Sequence, residues 1–284
     1  MADVTVFGIV DQSVTRTKVG TAAATTNVAS AYTGNELGFK GSEDLGNGMT
    51  ADFQIHFAPS VDNAAAPTGY QSHVGVKGAF GGVRIGQFFS PSFFNNATYD
   101  TVGYTAFGYN VAATVNTSAG LKANSIEYTL PTMVTGLSAS YVNSQGEAAS
   151  NVGGLTNYRL NYAVGAFSVG YANGTTKTST TVNTKDSSVG VSYDLGMAKL
   201  AYYGTDSKAT GGATTKGSAF GVSVPFGATT LGLQSTTATG GSTGSMVQVK
   251  HDLTKRTSAI AQFGRTKIGA DTNSGTSIGL WHSF

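Results

Sequence analysis

Apolar side chains at alternate positions are the feature of this sequence that most limits its fold. In segments of about nine residues, every second side chain is apolar and its neighbours are small or polar, the pattern of a strand with one apolar face. About sixteen such segments follow one another along the chain, beginning at Val4. The clearest apolar runs are Leu137/Ala139/Tyr141, Tyr158/Leu160/Tyr162/Val164, Phe167/Val169/Tyr171, Val189/Val191/Tyr193, Leu200/Tyr202 and Phe220/Val222/Val224. The sequence therefore predicts an all-β protein.

The number of apolar faces favours a lipid bilayer over a second sheet as their surroundings. Nearly every segment carries one such face, and about nine tilted residues is the length of a strand that crosses a bilayer. No stretch approaches the roughly 18 uninterrupted apolar residues of a membrane-spanning helix, so any crossing must be made by strands. Only 11% of the residues are charged and the mean hydropathy is near zero, which suits neither a soluble domain nor a helical membrane bundle.

The connectors between segments alternate between short and long, which indicates an up-and-down barrel. Residues 165–166, 195–197 and 225–228 are tight connectors, whereas 144–156, 175–186 and 205–217 are long and polar. Outer-membrane barrels have this asymmetry of turns and loops. The Gly-rich stretches fall only at long-loop positions, so we expect one domain over residues 1–284, a sixteen-stranded antiparallel transmembrane β-barrel.

One connector, at about residues 90–123, is too long and too apolar for an ordinary loop. It shows no sustained alternation, and a loop of this length with no strand of its own is uncommon. We expect it to fold inward and pack inside the barrel as the third loop. Its aromatic residues are Phe93, Phe94, Tyr99, Tyr104, Phe107 and Tyr109.

Composition excludes several other classes of function. The formal net charge is +2 and the basic residues are scattered, so we expect no nucleic-acid partner. The chain has no cysteine, which removes disulfides, thiol catalysis and thiolate metal sites. The remaining metal candidates, His73, His251 and His282, have no clustered ligands around them. The start of the chain has no basic or apolar signal region, and we expect a mature chain with an added Met1.

Several motifs resemble the general porins of β-proteobacteria and Neisseria, in family order along the whole chain. The most specific is residues 37–48 (LGFKGSEDLGNG); the others are 4–11 (VTVFGIVD), 74–83 (VGVKGAFGGV), 124–128 (NSIEY), 253–257 (LTKRT) and 279–284 (GLWHSF). The resemblance implies an outer-membrane channel for passive diffusion of small hydrophilic solutes and ions, and not an enzyme. It also implies a homotrimer, a constricting third loop and no cofactor. Phe284 matches the terminal residue that the barrel insertion machinery reads in this family.

Strand parity, the rule that successive side chains point to opposite faces, predicts which of them face the water-filled lumen. Residues between lipid-facing ones must point inward. A charge on the lipid face near the midplane would cost about 2 to 4 kcal/mol, so charged residues of the strands should lie inside. On this basis the lumen is predicted to contain Asp11, Glu36, Lys40, Asp52, His56, Glu127, Arg159 and Lys199. Each of these charges could instead serve as an ion pair that only stiffens the barrel wall.

The predicted lumen lacks arginines that the resemblance leads one to expect. Glu36, Tyr70 and Gln87 stand where relatives carry arginine, while Lys40 and Lys122 remain at basic positions. With Asp100 as the only acid in the third loop, the inward charges nearly balance, and the hypothesis is weak ion selectivity that could lean toward cations. Strict parity would place Gln87 on the lipid face, and a bulge at Gly86 would turn it inward.

Three other functions remain open on sequence grounds. A substrate-selective channel of the same fold would show saturable flux, and the aromatic residues of the third loop could stack on sugars or simply pack. A barrel enzyme would need a Ser/His or Asp/His constellation near one rim, and none is apparent from the spacings. A soluble β-adhesin would stay in solution without detergent.

Overall fold

The computed structural model describes residues 3–103, 110–116, 118–147 and 149–284. Within these ranges the chain forms strands joined by turns and loops, with one helix, α1 (Pro91–Thr98). The strands are β1 (Asp3–Lys18), β2 (Thr25–Ala29), β3 (Glu36–Gly46), β4 (Met49–Ala58), β5 (Thr68–Gly69), β6 (Ser72–Gly78), β7 (Gly81–Phe89), β8 (Leu121–Thr129), β9 (Leu137–Ser144), β10 (Leu155–Val164), β11 (Phe167–Lys177), β12 (Asn183–Asp194), β13 (Lys199–Ala209), β14 (Thr214–Phe226), β15 (Thr229–Ala238), β16 (Ser242–Asp252), β17 (Thr257–Ile268) and β18 (Asp271–Ser283).

The strands form one closed antiparallel sheet. Apart from the two broken strands described below, each strand pairs with the strands before and after it in the chain. The pairing of β1 with β18 closes the ring, from Ile9↔Ser283 to Lys18↔Ser274. Gly8 and Phe284 extend this seam with two main-chain hydrogen bonds of 3.2 and 3.1 Å; the role of Phe284 in membrane insertion stays a prediction.

Two of the barrel positions are occupied by broken strands. β2 and β3 pair with successive parts of β1, and β5 and β6 pair with successive parts of β4. Each of these two pairs of short strands therefore takes the place of one barrel strand, and the barrel has sixteen strand positions. The predicted sixteen-stranded antiparallel barrel is confirmed.

Several strands run further than the sequence predicts. β11 continues to Lys177 and β12 starts at Asn183, so the predicted long connector over 175–186 has only five residues outside strands. The Thr, Ser and Lys residues at these ends pair as regular ladder members, with Thr176 opposite Thr184. Pairing uses the main chain, and Thr is well accommodated in strands, so a strand can continue after its apolar pattern has ended.

The two faces of the barrel wall differ sharply in chemistry. On β12, Val189 and Tyr193 are 48% and 50% exposed, whereas the alternate residues Asp186 and Ser188 are 1% and 2% exposed. The same alternation recurs on the other strands, with exposed Leu, Val, Ile, Phe and Tyr on one face and mainly polar or small residues on the other. We call the second face the polar face.

Helix α1 begins with a capped N-terminus and packs against the polar face of β9 to β12. The Ser90 side chain accepts a hydrogen bond from Phe93 N–H, and Pro91 occupies the first turn, where its missing N–H costs nothing. The main-chain N–H of Ser92 then donates to Asn157 Oδ1 at 2.8 Å. Among the residues that the structure describes, no helix is long and apolar enough to cross a membrane.

The segment after α1 continues along the same face toward β15. The Tyr99 hydroxyl donates to Asn161 at 2.8 Å, and the Thr101 hydroxyl donates to the carbonyl oxygen of Leu233 at 2.9 Å. Further along, the Ser118 hydroxyl donates to Asp186 at 2.6 Å. Residues 90–103, 110–116 and 118 are thus joined to the wall at many points.

Glycines on the polar face allow this close approach. A side chain at Gly190 would collide with the ring of Tyr99, and one at Gly221 would collide with the Thr101 side chain. At four more wall glycines a side chain would also collide with this segment or with the residues that bind it. They are Gly170, Gly174, Gly217 and Gly232. These glycines form a shallow groove in the wall, and the segment lies in this groove.

Gly190→Ala is expected to destabilise the folded protein by about 1 to 3 kcal/mol, because the new methyl group and the Tyr99 ring cannot share the space. The measurement is the thermal denaturation midpoint of the detergent-folded protein. Gly204→Ala is the matched control, since the nearest atom to its new methyl group is the Tyr202 hydroxyl at 3.1 Å. Equal shifts in the two variants would contradict the packing described.

Candidate functional site

Charged side chains lie on the polar face of β3 to β8, across the barrel from the wall that binds α1 and the described residues after it. A cavity of about 400 Å³ is lined there by Asp52, His73, Lys77, Arg84 and Glu127 among others. A second cavity, of about 380 Å³, shares Asp52, His73 and Lys77 and adds Lys40. This wall is the candidate site, since it is open and bears both signs of charge.

Three acids of this wall lie beside a basic side chain. Glu36 Oε2 is 3.3 Å from His56 Nε2, and Asp52 Oδ2 is 3.0 Å from His73 Nε2. Glu127 forms an ion pair with Arg84. Arg84 is a permanent cation, so the Glu127–Arg84 pair contributes little to the field at a distance, because the two opposite charges largely cancel.

His56 is held by neighbours on every side. Its side chain is 2% exposed, and its ring packs edge-on against the rings of Phe7 and Tyr70. The Gln54 amide nitrogen lies 3.2 Å from Nδ1 and can only donate, so Nδ1 accepts and Nε2 carries the hydrogen that faces Glu36. The geometry fits a neutral imidazole that accepts from the Gln54 amide and lies beside the Glu36 carboxylate.

Asp11 and Asp100, the other two predicted acids, bind protein groups. Asp11 is 1% exposed, and its Oδ2 accepts main-chain hydrogen bonds from residues 32–34. Asp100 Oδ2 accepts from Gln234 at 2.7 Å and from Asn110 at 2.9 Å. Burial raises the pKa of the Asp100 carboxyl, and these hydrogen bonds act in the opposite direction. Asp100 thus joins the 90–123 segment to β15.

Two predicted cations have neutral neighbours. Lys40 is exposed, and its Nζ lies 5.1 Å from the centre of the Phe7 ring. Arg159 Nη2 donates to Thr98 Oγ1 at 2.9 Å and to Asn161 Oδ1 at 3.0 Å. Lys122 lies in β8 and is half-buried, on the strand that also carries Glu127.

A register shift lies between Gly86 and Phe88, in the pairing of β7 with β8. Gly86 has φ 152°, and any side chain there would collide with the carbonyl oxygen of Ser72. The Gln87 amide donates to Tyr70 O at 2.8 Å. The irregularity that the sequence suggested at Gly86 is present, and Gln87 lies at the break between β5 and β6.

Lys77 and Asp186 are two charged residues of the polar face that the sequence analysis did not select. Lys77 follows the exposed Val74 and Val76, so the parity rule could have found it. Asp186 fell inside a predicted loop, because its strand begins with polar residues. Among the residues that the structure describes, no three His, Asp or Glu side chains are grouped to hold a metal ion.

The described aromatic rings form a row from β1 to α1. Phe7 contacts His56, which contacts Tyr70, and Tyr70 contacts Phe89. Phe89 stacks on Phe93 at 4.0 Å with an angle of 14° between the rings. The rings mostly meet edge to face and so cover one another, which favours packing over a sugar-binding surface. Tyr104, Phe107 and Tyr109 lie outside the described residues.

Comparison with models of protein families shows which family this chain belongs to. The family model described as Gram-negative porin matches residues 1–271. The chain belongs to the Gram-negative porin family. As a porin it resides in the outer membrane, and Tyr residues on the exposed face of β8 to β13 suit the interface between lipid and water.

Individual relatives of this porin match over short stretches. Major outer membrane protein P.IB of Neisseria gonorrhoeae is 41% identical over 100 residues, which are 32% of this chain and 28% of that protein. The Neisseria lactamica protein of the same name is 40% identical over 93 residues, 30% of this chain and 28% of the relative.

Solved porins share the fold over nearly the whole chain. The anion-selective porin from Comamonas acidovorans has a TM-score of 0.85 at 24% identity, covering 100% of both chains. Salmonella typhi OmpF has a TM-score of 0.81 at 13% identity, covering 99% of this chain and 97% of its own. At these identities the likeness shows the fold alone.

Glu127→Gln is expected to increase the chloride-to-potassium permeability ratio roughly 1.5- to 3-fold, because it leaves the Arg84 charge without its carboxylate. The measurement is the reversal potential of the bilayer-inserted porin under a KCl gradient. Asp62→Asn, which removes an exposed acid between β4 and β5, is the control. An unchanged ratio in Glu127→Gln would contradict the placement of this ion pair beside the ion path.

Proposed function

We propose that this porin forms a water-filled channel through which small hydrophilic solutes and ions diffuse passively across the outer membrane. The observation that carries the proposal is a closed barrel of sixteen positions with an apolar exposed face and a polar second face. The first face suits contact with lipid, and the second suits contact with water. No step in this function needs a cofactor.

The 90–123 segment is proposed to narrow the channel as an inward-folded loop within a single domain over residues 1–284. Support comes from its contacts, which reach the polar face of β10, β11, β12, β13 and β15. If the segment covers that side of the lumen, the path for solutes runs along the opposite wall. The cavities lined by Lys40, Asp52, Lys77, Arg84 and Glu127 lie on that wall.

Ion selectivity is proposed to be weak. Glu127 is paired with the Arg84 cation, whereas Asp11 and Asp100 accept hydrogen bonds from neutral groups, which do not cancel a carboxylate charge. Lys40 and Arg159 likewise contact neutral groups, so charges of both signs remain on the polar face. We infer no strong preference for cations or anions. Beside the path we place Glu36, Lys40, Asp52, His56, Lys77, Gln87, Lys122, Glu127 and Arg159, with Asp100 tying down the loop.

Single-channel recording of the refolded porin in a planar bilayer tests the proposal. Stepwise insertion with an ohmic conductance is expected, and the reversal potential under a KCl gradient should be small. Flux of a neutral sugar should rise linearly with concentration. Saturable flux would favour the substrate-selective channel, and the absence of any conductance would contradict the channel altogether.

A homotrimer is the proposed assembly. A solved relative by fold, Vibrio cholerae OmpT, has a trimer form, with 13% identity and a TM-score of 0.71 to this chain. The exposed face of β16, β18 and β1 is aliphatic and has no Tyr, with Val4, Val247 and Ile278 as examples. Exposed Tyr residues occur on β8 to β13, as expected if that side meets the lipid interface and the aliphatic side meets another subunit.

Chemical cross-linking of the porin in mild detergent is expected to give a ladder that ends at three subunits. Heating above the dissociation temperature before cross-linking should leave monomers only and serves as the control. A ladder that stops at the monomer without heating would contradict the trimer.

A further inference from the structure

The second barrel position is interrupted in the middle of the wall. β2 pairs with β1 from Ser13 to Thr17, and β3 pairs with β1 from Asp3 to Ile9. Between these two ladders, residues 30–35 leave the sheet. A strand break inside a membrane barrel frees main-chain donors and acceptors, and each must find another partner.

Asp11 supplies the partner at this break. Its Oδ2 accepts hydrogen bonds from the main-chain N–H groups of Tyr32, Thr33 and Gly34, at 2.8, 2.8 and 3.0 Å. The Asp11 N–H in turn donates to Asn35 Oδ1 at 2.8 Å. Gly34 has φ 91°, a conformation that favours glycine and turns successive N–H groups toward one oxygen. One carboxylate thus holds the whole turn.

A second contact fixes the same turn from another strand. Trp281 Nε1 donates to Thr33 Oγ1 at 2.8 Å. Asp11 alternates with the exposed Val10 and Val14 along β1, and Trp281 alternates with the exposed Ile278 and Leu280 along β18. Both anchors therefore belong to the polar face, and residues 32–34 lie over that face.

Helix α1 and Tyr99 also pack against the polar face, on β9 to β12. The turn and the described part of the 90–123 segment therefore lie on the same face of the barrel wall.

We propose that residues 30–35 are a second element that narrows the channel, and that Asp11 is the residue that positions it. The inference rests on the proposed channel function. Asp11 then shapes the pore by holding main-chain groups. The cross-section is set by two inward segments, of which residues 30–35 are held through one side chain.

Thiol labelling tests the position of the turn, because the chain has no cysteine of its own. Thr33→Cys places a single thiol on the exposed side of the turn, and a charged methanethiosulfonate reagent should lower the single-channel current in discrete steps. Thr276→Cys is the matched control, since Thr276 is exposed on the other face of β18. Unchanged current in labelled Thr33→Cys channels would overturn the placement in the path.

Asp11→Ala tests the positioning role. Release of the turn should raise the conductance about 1.5-fold and shift the fluorescence of Trp281, the only tryptophan of the chain, to longer wavelength with greater quenching by acrylamide. Asp11→Asn, which keeps an acceptor oxygen, should lie between Ala and the unmodified chain. Ser13→Ala, on the same face of β1, is the control for folding and should change neither reading.

The outcomes separate this inference from the channel proposal. If the unmodified chain conducts normally and Asp11→Ala changes neither the conductance nor the fluorescence, the role of Asp11 is overturned and the channel proposal stands. An unmodified chain that conducts no current would overturn the channel and, with it, the narrowing role. A fluorescence shift without a change in conductance would show a turn that is bound by Asp11 but lies outside the narrow part, which also contradicts the inference.

Discussion

The hydrogen-bonding demand of the main chain in lipid is the constraint on which this structure depends. The hydrocarbon core offers no partner to an unpaired N–H or C=O group, so a sheet that crosses it must close on itself. The pairing of β1 with β18 meets that demand. Closure then separates the two faces of every strand, and the period-two alternation of apolar and polar side chains follows from it.

The same constraint explains the two places where the ladder is broken. Each break leaves main-chain groups without a strand partner, and in each case a side chain of the wall takes over. Asp11 accepts from the turn between β2 and β3, and the Gln87 amide donates to Tyr70 between β5 and β6. The 90–123 segment is joined to the polar face in a related way, since Ser92 N–H donates to Asn157 on β10 and Thr101 N–H donates to Gln234 on β15. The interior of the barrel is organised by polar side chains that satisfy main-chain groups.

The sequence allowed the fold and the faces to be predicted, because alternation is a local property. Parity along a strand requires only neighbouring residues, and it correctly separates Glu127 from the exposed Ile126 and Tyr128. The hydrogen-bond partners of each polar residue could not be predicted in this way. Asp11 looked like a free lumen charge, yet its partners lie 21 to 23 residues away. Asp186 was missed because its strand starts with polar residues that resemble a loop.

Cysteine scanning along β4 in a bilayer tests the central claim, that alternate residues face water and lipid. Single cysteines at Asp52 and Gln54 should react with a membrane-impermeant thiol reagent and reduce the channel current. Cysteines at Ala51, Phe53 and Ile55 should react only with a lipid-soluble reagent and leave the current unchanged. Reactivity without a period of two, or with the opposite phase, would contradict the account.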